Sequence, residues 1–76
     1  MSKNIIGKRV RIAREKQKPK VTQIDLLARL DVRGLPLEKT TISKIEAGTR
    51  PVSDIELVAI ADSLYVTPHW LLGIED

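Results

Sequence analysis

Apolar residues recur along this chain at helical spacing, and nowhere do they alternate as a half-buried strand would. Ile6, Val10, Ala13 and Gln17 stand at i, i+4, i+7 and i+11, one stripe on a first helix predicted from about Asn4 to Lys18. Pro19 ends it. Thr22 is a good N-cap, and Leu26, Leu27 and Leu30 form the buried side of a second helix to about Val32. The segment "DVRGLPLEK" carries Gly34 and Pro36 and reads as a connection. A third helix is predicted from near Glu38 to Ala47, with Gly48 suited to a left-handed exit. After the turn "RPVSD", Ser53 or Asp54 caps a fourth helix with Ile55, Val58, Ala61 and Leu64 expected inward. Thr67-Pro68 opens a short fifth helix through Leu72. The pattern predicts an all-α, compact five-helix bundle forming a single domain over residues 1–76.

The third helix has the least usual pattern. In "TTISKIEAGTR", only Ile42 and Ile45 are fit for burial, and they lie three residues apart. Lys39, Thr40, Ser43 and Lys44 are left on the other side. A helix packed by so narrow a stripe exposes most of its circumference, and the DNA major groove, about 12 Å wide, admits one helix. Lysine donates to guanine O6 and N7, and hydroxyls pair with either base type. A hydrophobic partner groove would instead call for exposed Leu or Phe anchors. Thr22 and Gln23 open the second helix, where free backbone N–H groups and the helix dipole attract a phosphate. Contacts of that kind set register, and the next helix reads bases.

Charge sharpens this picture. The formal net charge is +3, but residues 1–20 hold eight Lys/Arg against Glu15 alone, while residues 51–76 hold five acids and no Lys or Arg. So dipolar a chain can turn one face to a polyanion. With one Trp, one Tyr and no Phe, the core must be aliphatic, and Trp70 is expected to seal one end of the bundle. The absence of cysteine excludes disulfides and thiolate metal sites, and fits a reducing cytoplasm. No apolar run approaches the roughly 20 residues of a membrane span. One histidine, His69, without cysteine or a carboxylate cluster makes no metal or catalytic site, and the four glycines are too scattered to cradle a phosphate. Neither an enzyme nor a cofactor or small-molecule ligand is expected.

Taken in order, "IGKRVRIAR", "TQIDLLARL", "TTISKIEAGTRPV" and "ELVAIADSLYVTPHWLLG" resemble the phage-repressor and Cro-like helix-turn-helix domain, the XRE family, over nearly the whole chain. The resemblance implies a lambda-repressor-like bundle with its helix-turn-helix at about 22–47. It implies a double-stranded DNA operator as partner, and a repressor acting as a homodimer. Lys39, Thr40, Ser43 and Lys44 match the outward positions of the recognition helix and are the expected base contacts. Gln23 matches the glutamine opening the positioning helix. Arg50 matches a position that often meets phosphate, and Thr22 and Lys20 complete the expected phosphate contacts. Arg14 and Glu46 match an ion pair tying the first helix to the third.

The chain departs from the family pattern at the turn. Asp31 stands where a glycine is usual, and about five extra residues centred on "RGLPL" lengthen it. Leu27 replaces a small residue at the helix crossing, and Tyr65 stands where a helix-ending glycine is common, so another helix ending is expected there. Leu71, Leu72 and Ile74 exceed what one small core needs and mark the tail as a candidate dimer surface. The rival reading is an antitoxin-like or regulatory protein-interaction module on the same fold. Its mark would be an exposed apolar patch.

Overall fold

The computed structural model describes residues 2–75, and among them it contains five helices and no strand. They are α1 (Gly7–Lys16), α2 (Gln23–Val32), α3 (Lys39–Ala47), α4 (Asp54–Ser63) and α5 (Pro68–Leu71). α3 packs on α1 and α2, while α4 packs on α2 and α5. The core is aliphatic: Ile6, Val10, Ala13, Val21, Leu26, Leu30, Ile42, Ile45, Ile60, Ala61, Leu64 and Leu71 are all buried. None of the described helices is long and apolar enough to cross a membrane.

Each boundary has a local cause. α1 starts at Gly7 rather than Asn4: Ile6 holds the N-cap position, and Asn4 Oδ1 accepts from the backbone N–H groups of Ile6 and Gly7 in the turn that leads into the helix. α2 opens with a capping box, in which Thr22 and Asp25 each satisfy the other's backbone N–H. Ser53, and not Asp54, caps α4 by the same device with Glu56. Gly48 ends α3 at φ +78, as its sequence position predicts. α2 ends the same way, through Gly34, with the Leu35 N–H bonded to the Leu30 carbonyl. The long turn is therefore anchored: Gly34 takes the role missing at Asp31, and Leu35 and Leu37 pack against the core. Leu27 packs there as well.

Three expectations need correction. Ile55 and Val58 do not face inward; they are 71% and 58% exposed. At about 100° per residue, nine residues turn a helix through roughly two and a half revolutions and end on the opposite side, so Ile55 and Leu64 cannot share a face. The inward stripe is Leu57, Ile60, Ala61 and Leu64, spaced i, i+3, i+4, i+7. The tail is the reverse case. Leu71 is fully buried and Leu72 packs on the core, leaving Ile74 as its exposed apolar residue. Finally, α4 does end in left-handed geometry without a glycine: Tyr65 sits at φ 59, and the Val66 N–H bonds the Ala61 carbonyl. Such geometry costs a non-glycine residue about 1–2 kcal/mol. The Arg29 guanidinium lies 5.2 Å from the Tyr65 ring centre and returns part of that cost.

Candidate nucleic-acid interface

The outward side of α3 is one continuous polar face. Thr40, Ser43, Lys44 and Ala47, spaced i, i+3, i+4, i+7, are all exposed, with Lys39 beside them. Ile42 and Ile45 are wholly buried on the opposite side. Two branched anchors hold the helix, and everything facing solvent is a hydroxyl, a lysine or a methyl.

A single carboxylate fixes the pose of α3. Glu46 accepts from Arg14 Nε at 2.6 Å, from Arg14 Nη2 at 2.9 Å and from Gln23 Nε2 at 3.2 Å. The Arg14 and Glu46 side chains are only 10% and 8% exposed, so this is a buried bidentate pair rather than a surface one. The Glu46 hydrogen bond is the main reason that the Arg14 guanidinium holds its proton more firmly than usual. Arg14 Nη1 also donates to the Val21 carbonyl at 2.9 Å. α1, α3 and the residues entering α2 thus meet at one ionic node.

Gln23 extends the node to the outer face. A carboxylate only accepts, so the amide nitrogen of Gln23 must turn to Glu46 and its oxygen must turn outward. That oxygen accepts from Ser43 Oγ at 3.1 Å. With its proton committed, Ser43 presents lone pairs to whatever approaches α3, while Gln23 keeps one amide hydrogen free. The two residues expected on separate DNA groups are joined to each other.

The expected phosphate contacts are placed differently from one another. Lys20 and Thr22 are exposed, and Thr22 Oγ1 accepts the cap bond from Asp25 while its own hydrogen remains available. The Asp25 carboxyl, held below its ordinary value chiefly by the Thr22 backbone N–H, occupies part of the α2 N-terminus. Arg50 is half-buried and engaged: Nη1 and Nη2 donate to Glu56 at 3.0 and 2.9 Å. Arg50 therefore secures the α3–α4 junction, and a phosphate there would have to share it.

Two features of the site escaped the sequence reading. Asn4 Nδ2 donates to the carbonyls of Ile45 and Arg50, tying the N-terminal segment of the chain to the end of α3. Gly7 lets α1 approach α3 closely, since a Cβ there would lie 2.2 Å from the Ile45 carbonyl oxygen. The signal was present as Asn-x-x-Gly ahead of a helix, but its partner stands some 40 positions away. Arg9, counted with the basic field, instead lies 4.8 Å from the Trp70 ring centre and donates to the Trp70 carbonyl. Trp70 is half-buried against the core, and His69 is exposed. No protein-family model, curated protein or solved structure matched this chain.

Proposed function

We propose that this chain is a sequence-specific, double-stranded DNA-binding transcriptional regulator of the lambda-repressor-like helix-turn-helix type. It represses as a homodimer by occupying an operator. The observation that carries this reading is the exposed face of α3, polar throughout and held by the Arg14–Glu46–Gln23–Ser43 chain. A reading helix must be exposed and yet rigid, and this one is both.

In this mechanism α3 enters the major groove. Lys39 and Lys44 donate to guanine edges, Ser43 accepts from an adenine or cytosine amino group, and Thr40 offers a methyl to thymine or a hydroxyl to a base edge. Thr22, Gln23 and Lys20 meet the phosphates flanking that groove, which sets register. The other exposed cations of residues 1–20, Lys3, Lys8, Arg11, Lys16 and Lys18, add attraction that falls with salt. The alternative, a protein-interaction module, draws on the apolar outer face of α4 and does not account for the make-up of α3.

Binding-site selection from a random duplex library, at near-physiological salt, tests the reading. The expected product is a two-fold symmetric motif with half-sites about 34–36 Å apart or a multiple of that. Binding that is salt-sensitive but blind to sequence would refute it.

A further inference from the structure

α4 is apolar on both sides. Leu57, Ile60, Ala61 and Leu64 face the core, while Ile55 and Val58 stand in solvent on the far side. Large apolar side chains left in solvent beside a packed apolar stripe call for cover. An open cleft of about 550 Å³ runs along this face, lined by Arg33, Asp54, Ile55, Val58, Ala59 and Asp62. Val32, 85% exposed, precedes Arg33 at the end of α2.

We infer that the outer face of α4 is where two copies of this chain meet, α4 against α4 and antiparallel, with the two-fold axis at Val58. The pattern of charge is what selects a second copy. Asp54 and Asp62 lie four residues either side of Val58, about 6 Å along the axis in each direction. A two-fold axis at Val58 therefore sets Asp54 of one copy opposite Asp62 of the other. Two carboxylates alone would repel, but Arg33 Nε already holds Asp62 at 2.6 Å, and Nη1 is bonded to the Arg29 carbonyl. Its Nη2 remains to take Asp54 of the second copy. The face is thus self-complementary, apolar at the axis, with two carboxylates bridged by one guanidinium at each end, the same contact made twice as an isologous interface requires. α3 packs on α1 and α2, and none of its residues lines this cleft. A contact made by one helix face of each copy is small for a specific interface, so the pair is expected to exchange with monomer in solution.

The inference deepens the DNA-binding reading, and rests on it for the expectation of a two-fold pair. Its test needs no DNA. Sedimentation equilibrium of the whole chain should show a concentration-dependent monomer–dimer exchange. Val58→Glu should weaken it on the order of tenfold or more, since it puts two charges at the axis. Arg33→Glu should weaken it as well, and adding Asp54→Lys should restore it. Ile74→Asp, in the tail, should leave it unchanged. Circular dichroism establishes that each variant keeps its helices, and every substituted residue is at the surface. A chain that is monomeric at all concentrations overturns the inference. So does a dimer that Ile74→Asp dissociates and Val58→Glu does not, or a double variant weaker than Arg33→Glu alone. A dimer established this way would stand even if site selection returned no motif, so the two readings fail separately.

Discussion

α3 and α4 are helices of nearly equal length that both pack on α2, and they solve the same packing problem in opposite ways. α3 is held by two isoleucines and one buried ion pair, and its outer side is polar. α4 puts four apolar residues into the core and still has Ile55 and Val58 left over. What a helix leaves exposed after packing separates the two roles. A polar remainder suits a partner that is itself polar and charged, and an apolar remainder suits one that buries it.

The comparison breaks most severely at Glu46. α3 has little apolar anchorage, so its pose depends on the ionic node, and Glu46→Ala leaves the Arg14 guanidinium buried without a counter-charge. The expected loss is about 3–5 kcal/mol of stability, measured by urea unfolding. Replacing Glu56, on α4, should cost far less, because Arg50 is 31% exposed and can turn to water.

The outer faces can be set against each other next. Lys44→Ala should cost about 1–3 kcal/mol in affinity for the selected operator and relax its preference at one base pair. Val58→Glu should leave binding to a single half-site intact and reduce binding to the paired site. Titrating both variants against one and two half-sites tests the reading proposed for α3 separately from the pairing proposed for α4. If Lys44→Ala changed only the salt dependence, by a slope of about 1, its contact would be to phosphate instead.

The sequence was legible wherever the determinants were local. Caps at Thr22, Ser53 and Thr67, the glycine after α3 and the proline opening α5 are each settled within four residues, and the ends of α2 to α5 that they mark follow from them. The Arg14–Glu46 pair became legible only through the family resemblance, because no periodicity joins positions 32 apart. What was misread depended on helix rotation. A spacing of three can pass for a stripe over short stretches, yet it drifts by about 60° at each step, and on α4 that exchanged core for surface. In the tail, Leu71 was counted as surplus because the core's demand could not be totalled without knowing that Ile55 and Val58 were outside it. Tyr65 shows the limit of local rules, since the chain accepts a left-handed tyrosine and stacks Arg29 on it.

A smaller effect should appear at Ser63, on the buried side of α4. Its side chain is fully buried, and among the described residues its Oγ meets no hydrogen-bonding partner. Ser63→Ala removes an unpaired hydroxyl and favours the helix, so a gain of about 1 kcal/mol is expected in urea or thermal unfolding. A loss would mean that the hydroxyl has a partner, and that the inner face of α4 is less purely apolar than the comparison requires.

The smallest effect concerns how the two helices are joined, and it is read through pH. Arg50, just beyond α3, holds Glu56 in the first turn of α4, and its hydrogen bonds are the main reason that the Glu56 carboxyl lies below its ordinary value near 4.5. A carboxyl depressed in the folded state contributes stability that is present above its unfolded value and lost as pH falls through its folded one. Stability should therefore decline as pH drops below about 4.5, by a fraction of a kcal/mol from this partly exposed pair, with Asp25 adding in the same direction at lower pH. Glu56→Gln should lower stability slightly at neutral pH and flatten the curve below pH 4.5, as measured by urea unfolding across the range. An unchanged curve would place the acid sensitivity elsewhere and leave α4 anchored by its core stripe alone. That stripe is the anchorage α3 lacks, and it is why the Arg50–Glu56 pair can be lost cheaply while Arg14–Glu46 cannot.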